Sequence, residues 1–385
     1  MSERNPQQYL EIMNSIQESI EQFLKKENSE DNFSILVNTF DKTKINDNKF
    51  DLLSLLHLIS KIVNNSYRSH NFFEKIEQIL QYFQSDINNY FSNSQIFNIF
   101  EGNKRILLFL NEEGILTFDE NIVKKITKTE KYRDADYPQY FQPEIQPFVE
   151  EKWFPEELNK EIEEELPDDF YDQRNKGQND DELCELIRND KYEEFRKYIK
   201  EHKMTLDDTI QPSIYETNRF LIKKMLRKSG LTMIEYAAFF GSIKILNYLR
   251  KKKVKSTGPL MLFAIHSQNE EIIHSLEDKH GEFGVKTYKR FFYESLKCHH
   301  NDIANYFLSK LNGNDKNSQD TINQSLKYYN FKFLKNEFIK ESSFFYLCKY
   351  DYCTFVDSLL KSQTLDVNKK EILRKFANSI FFSIF

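Results

Sequence analysis

Three segments of the C-terminal half stack on one another without a gap: "AAFFGSIKILNYL" (237–249), "AIHSQNEEIIHSL" (264–276) and "SLKCHHNDIANYF" (295–307). Ile245, Ile272 and Ile303 then coincide, as do Leu249, Leu276 and Phe307. Spacings of 27 and 31 residues belong to stacked helical hairpins, in which each unit buries its apolar face on the next. Fainter copies follow at "SLKYYNFKFLKNEF" (325–338) and "LCKYDYCTFVDSL" (347–359). "LIRNDKYEEFRKYI" (186–199) reads as an opening unit, set apart by an insert containing "TLDDTIQPSIYETNRF". Even "NIFEGNKRILLFL" (98–110) has the same rhythm, so the N-terminal region is open to reading as a diverged array.

Residues 7–128 carry helical periodicity almost throughout. "FDLLSLLHLISKIV" sets Leu52, Leu55, Leu56, Ile59 and Val63 on one stripe, and "FFEKIEQILQYF" does the same with Phe72, Ile76, Ile79 and Phe83. Residues 130–181 break the pattern, because Pro138, Pro143, Pro147, Pro155 and Pro167 fall there with 17 acidic and 6 basic residues. Proline removes a backbone donor and disfavours helix in the residue before it. The window reads as an extended acidic connector with one short helix near "PEELNKEIEEEL", its Trp153 lying against a neighbouring surface.

The cluster Cys298, His299 and His300 invites a metal or thiol reading. A zinc site needs about four converging ligands, and adjacent side chains radiate apart. In the alignment His299 takes the place of Gly241, the turn between two helices, where histidine tolerates left-handed backbone; His300 opens the next helix. A reactive thiol needs an oriented base and an electropositive setting, which adjacency does not supply. Cys184, Cys348 and Cys353 read as core or turn residues, and four cysteines in 385 residues form no disulfide framework. Nine glycines leave little for a phosphate cradle, and neither G-x-S-x-G nor H-E-x-x-H occurs. No catalytic, cofactor-binding or metal residue is assigned. The carboxylates Glu161, Glu163, Glu164, Glu165, Asp168 and Asp169 read as solvated charge. "RKKKVK" (Arg250–Lys255) suits the C-terminal end of a helix; nuclear import is its other reading. Acidic balance, −6 overall, argues against nucleic acid. No stretch reaches the ~20 apolar residues of a membrane span, and the N-terminus lacks a secretory h-region, so a soluble cytoplasmic chain is expected.

"GLTMIEYAAFFGSIKILNYL" (Gly230–Leu249) resembles an ankyrin repeat through Thr232, Ile234, Ala237, Ala238, Gly241 and Leu249. Ala237 and Ala238, two of six alanines in the chain, let paired helices approach closely, and Gly241 permits the left-handed turn. Met233 and Glu235 stand where the ankyrin pattern has Pro and His. In order along the chain, "LLHLISKIVNNSYRSHNFFEKIEQIL", "SNSQIFNIFEGNKRILLFL", "YPQYFQPEIQPF", "IQPSIYETNRFLIKK", "MIEYAAFFGSIKILNYL" and "SLKCHHNDIANY" look like the trichomonad-type protist family of ankyrin-repeat proteins carrying a domain of unknown function. That resemblance, over about residues 7–310, implies partner binding and no known reaction. Ankyrin-type recognition uses loop tips and the two positions after the paired alanines, here Phe239, Phe240, His266, Ser267, Lys297 and Cys298. The alternative for the Phe pair is packing between repeats.

The expectation is an all-α helical-repeat solenoid. Its parts are an N-terminal helical module (1–128), an acidic connector (129–180), an ankyrin-like array (181–363) and a C-terminal helix or tail (364–385). The expected function is a non-enzymatic scaffold or adaptor for an unidentified protein. The rival is a self-masking module whose connector covers the repeat surface, and an uncharacterised enzyme is the third option.

Overall fold

The computed structural model of the chain describes residues 4–65, 71–281, 283–311 and 318–361. The expected C-terminal segment 364–385 lies outside them. Among the described residues the protein is all-α but for one two-stranded ladder, Thr209–Ile210 antiparallel to Leu231–Thr232. Beside it Gly230 has φ +61°, and a Cβ there would stand 2.7 Å from Thr209 Cγ2. Only glycine meets both conditions. No described helix is long and apolar enough to cross a membrane.

The chain divides into two compact units that interleave along the sequence. The first comprises the described parts of Met1–Ile62, Ser69–Lys75 and Phe283–Phe385; the second comprises those of Val63–Arg68 and Ile76–Glu282. The sequence boundaries at 128 and 180 fall inside the second unit.

In the first unit, helix α1 (Pro6–Lys25) starts at a capping box formed by Asn5 and Gln8, which satisfies two otherwise orphaned amides. Its apolar stripe, Leu10, Met13, Ile16 and Ile20, is buried. It packs on α2 (Glu30–Thr43), on the 3-10 turn Phe331–Phe333 and on helix Cys353–Lys361. In α3 (Lys49–Asn65) the stripe Leu52, Leu55, Leu56, Ile59 and Val63 is buried throughout.

Six helical corners recur along the C-terminal two hundred residues. Three lie in the second unit: Glu182–Arg188 with Tyr192–Glu201, Met233–Phe240 with Ile243–Lys251, and Leu260–Ser267 with Glu270–His280. Three lie in the first: Val285–Lys297 with Asn301–Ser309, Gln319–Tyr328 with Phe331–Phe333, and Phe344–Lys349 with Cys353–Lys361. Each turns on one left-handed residue: Asp190 (φ 49°), Gly241 (73°), Gln268 (56°), His299 (58°), Tyr329 (54°) and Asp351 (55°). These are the fifth positions of the six aligned segments. The amide after the corner returns to a carbonyl five residues back in five cases: Lys191 to Leu186, Ser242 to Ala237, His300 to Ser295, Asn330 to Ser325 and Tyr352 to Leu347. That is the Schellman closure, which satisfies carbonyls that a helix end leaves bare. At Gln268 the next amide, of Asn269, donates to Ser267 Oγ instead. Gly102, in the N-terminal segment of similar rhythm, is not left-handed.

The acidic window is not extended. It forms short helices at Glu130–Arg133, Tyr137–Tyr140, Gln142–Ile145, Glu156–Glu163 and Phe170–Lys176. Pro138 and Pro143 sit in the first turns of their helices and Pro155 is an N-cap. Proline costs nothing at such positions because the missing amide has no partner there anyway. Tyr140, Phe141, Ile145 and Ile162 are fully buried. Arg174, also buried, holds Glu144 through both its NH groups and donates to the Tyr140 carbonyl. Trp153 lies under Lys124 and Lys128, their ammonium groups 4.8 and 5.8 Å from its ring.

Candidate interaction surface

In the Gly241 hairpin, Thr232 and Glu235 form a capping box. Glu235 Oε2 accepts from the Thr232 amide (3.1 Å), while Oε1 accepts from the amide (2.9 Å) and hydroxyl (2.8 Å) of Thr257, ahead of the next hairpin. Lys224 Nζ approaches the same Oε1 at 3.8 Å. Glu235 therefore ties one hairpin to the next. Asp190 does the equivalent work one hairpin earlier: its carboxylate accepts from the Lys244 and Ile245 amides at the start of helix Ile243–Lys251 (3.0 and 2.9 Å). Ser242 Oγ donates to the Ile187 carbonyl, and Arg250 donates to Ser275 Oγ and to the Ser275 carbonyl.

The expected partner edge is largely interior. Phe239 is 1% exposed and His266 fully buried. Their rings stack 5.0 Å apart, with Phe220 4.2 Å from the imidazole, and His266 Nδ1 lies 3.0 Å from the Asn65 carbonyl, to which it donates. Phe240 packs on Tyr236 and Phe239. Cys298 is buried, and desolvation pushes its thiol well above the usual range. Ser267 is half-buried and spends its hydroxyl within the turn, on the Ala264 carbonyl. Lys297 is half-buried and paired with Glu294 at 2.7 Å. Phe239, Phe240, His266 and Cys298, expected at a partner edge, are thus buried, and the Phe pair packs within the chain, the alternative that the sequence left open. The adjacent Cys298, His299 and His300 do separate as turn geometry requires, with His300 becoming the N-cap of helix Asn301–Ser309.

His299 belongs to a buried polar network in the first unit. Its Nε2 donates to the Tyr328 carbonyl at 2.8 Å, which leaves Nδ1 to accept from Gln17 Nε2 at 3.2 Å. That Gln17 nitrogen has two hydrogens to share among His299 Nδ1, Asn330 Oδ1 (3.0 Å) and Glu21 Oε1 (2.8 Å), and Gln17 Oε1 accepts from the Phe331 amide (2.7 Å). Asn330 donates on to the Leu296 carbonyl and to Asn301 Oδ1, and Asn301 donates to Glu21. Burial pushes the Glu21 carboxyl up to about 7, against the hydrogen bonds of Gln17 and Asn301 and the charge of Lys25, which pull it down. Burial pushes His299 down to about 4. Between those values both groups are neutral, so their 3.9 Å approach is not an ion pair. A second imidazole, His57 on α3, stacks on Tyr329 at 5.0 Å and approaches Asp351 at 3.6 Å, so N-terminal helices meet three of the left-handed corners.

The cysteine thiols are raised. Cys348 and Cys353 are pushed up to about 11, and Cys184 higher, mainly by burial, so the thiols stay protonated near neutrality. An open groove of about 490 Å³ between α1 and α2 is lined by Arg4, Gln8, Glu11, Ile12, Ser15 and Thr43. Exposed basic residues gather at two loop tips. "RKKKVK" runs from the end of helix Ile243–Lys251 into such a tip, with Lys251, Lys252, Lys253 and Lys255 exposed. Sequence reasoning passed over the neighbouring tip, exposed Leu226, Arg227 and Lys228. Its signal is charge asymmetry: from Thr217 to Asn269 there are 11 basic residues and one acidic one, the buried Glu235. No family model, curated protein or solved structure matches the chain.

Proposed function

We propose that this protein is a non-enzymatic interaction scaffold of the cytoplasm. In this reading its hairpins are degenerate ankyrin-like repeats of a solenoid, akin to the protist ankyrin-repeat family that the sequence resembles, and its loop tips hold a protein partner. The observation that supports the reading is the left-handed residue at one aligned position in all six corners, a feature that copies of one repeating unit would share. Glu235 and Asp190 add hydrogen bonds from hairpin to hairpin. The buried Phe239 edge moves the expected contact from the helix face to the tips, where side chains are free to meet another molecule.

Proximity labelling in cells with the wild type and with Lys252→Glu/Lys253→Glu tests it. Loss of a defined subset of labelled proteins at equal expression is expected. An unchanged set sinks the tips as the contact face.

A further inference from the structure

We propose that the basic loop tips dock on the acidic strip Glu150–Asp172 of a second copy of this chain, so that the protein associates with itself through charge. The two tips adjoin: Lys224 Nζ bonds Thr257 Oγ1 in one loop and lies 3.5 Å from Ser229 Oγ in the other. Around that link Arg227, Lys228, Lys252, Lys253 and Lys255 are exposed, as is the apolar Leu226. Asp207 and Asp208 precede the strand that pairs beside Gly230, which leaves the cations in excess. The strip is the counterpart: Glu150–Asp172 holds 11 carboxylates against Lys152 and Lys160, all 11 are exposed, and Tyr171 stands 54% exposed among them.

Packing holds the strip in place with its charges outward. Leu158 and Ile162 are buried under helix Glu156–Glu163, and Phe170 is buried at the start of the next helix. Among the described residues its carboxylates bond Arg133 (from Glu157), Gln139 (from Glu161) and Gln173 (from Asp169). Among the described residues none meets a tip cation. Each chain thus carries two complementary surfaces that it does not join internally, and a second copy can join both. Complementary fields of this kind steer encounter and set register. Each field has an exposed apolar side chain to bury, Leu226 in one and Tyr171 in the other.

The inference goes beyond the scaffold reading and is tested on the purified chain alone, so a monomer would sink it and leave partner capture standing. Sedimentation velocity is run in roughly 20 mM and 500 mM salt, since screening shortens from ~20 Å to under 5 Å across that range. Concentration-dependent association at low salt, lost at high salt, is expected. Lys252→Glu/Lys253→Glu/Lys255→Glu and Glu163→Lys/Glu164→Lys/Glu165→Lys should each weaken self-association by at least about tenfold, roughly 1.4 kcal/mol. Mixing the two variants should restore a complex, because each then offers what the other lacks. Arg227→Glu/Lys228→Glu replaces the first variant should that one fail to fold. A monomer at every concentration and salt overturns the proposal, as does association indifferent to both reversals. So does a monomer whose tips bind duplex RNA or phosphatidylserine vesicles, which would assign the surface to phosphate.

Discussion

In the second unit Glu235 and Asp190 join neighbouring hairpins across 22 and 55 residues of chain. In the first, Gln17 joins α1 to corners 282 and 314 residues away. Stitches of the first kind let each hairpin stand on its neighbour, the logic of a stack. A latch of the second kind makes two corners depend on one distant helix. The same backbone turn is therefore supported locally in one unit and remotely in the other, and substitutions should separate the two.

The largest effect is expected from Phe239→Ala, which hollows the ring stack with His266 and should cost about 3–5 kcal/mol. Hydrogen exchange should show the loss in the second unit first; an unperturbed protein with altered binding would instead return Phe239 to a partner edge. Gln17→Leu keeps the shape but strands the Phe331 amide, Asn330 Oδ1 and His299 Nδ1, at about 2–4 kcal/mol in all. Faster exchange at residues 325–333 and none at 231–251 would support the remote latch, whereas uniform loss would mean that the units share one cooperative transition.

The pH dependence of the latch sharpens the contrast. Glu21 holds its proton in the fold up to about 7, above the unfolded value near 4.5, so its contribution is full at acid pH and is lost as pH rises from about 4.5 to 7. His299 stays neutral down to about 4, below the unfolded 6.5, so its contribution is lost as pH falls from about 6.5 to 4. Between pH 4.5 and 6.5 the slopes oppose, each worth about 3 kcal/mol over its range. Urea titrations of His299→Asn, referred to the wild type at each pH, should show stability falling from pH 4.5 to 6.5, and those of Glu21→Gln should show it rising. Parallel profiles would remove either group from the network. The smallest effect concerns the corners: Gln268→Gly relieves a left-handed side chain on the surface and should add about 0.5–1 kcal/mol, read as a shift of the urea midpoint with unchanged slope.

The repeating turns were legible because the buried positions Ile245, Ile272 and Ile303 fix the register, and the register carries His299 onto Gly241. Tyr329 falls on the same position although a tyrosine does not look like a turn residue in isolation. The latch was not legible, since Gln17 is one polar residue in an amphipathic helix and pairing across 314 residues leaves no periodic trace. The acidic window misled for a different reason: prolines that open helices and prolines that prevent them read alike until the first turns are seen. Phe239 and Phe240 were ambiguous in kind, because an anchor for a partner and an anchor for the core are the same side chain.

The reach of Gln17 also sets an order of events on the ribosome. Phe331 leaves the exit tunnel 314 residues after Gln17, on the order of 15–60 s later at ~5–20 residues per second. Over that interval α1 lacks the corners it will bond, whereas Glu235 waits only 22 residues for Thr257 and Asp190 55 residues for Ile245. Until those corners emerge, α1 has α2 beside it but neither the 3-10 turn Phe331–Phe333 nor helix Cys353–Lys361, on which it also packs.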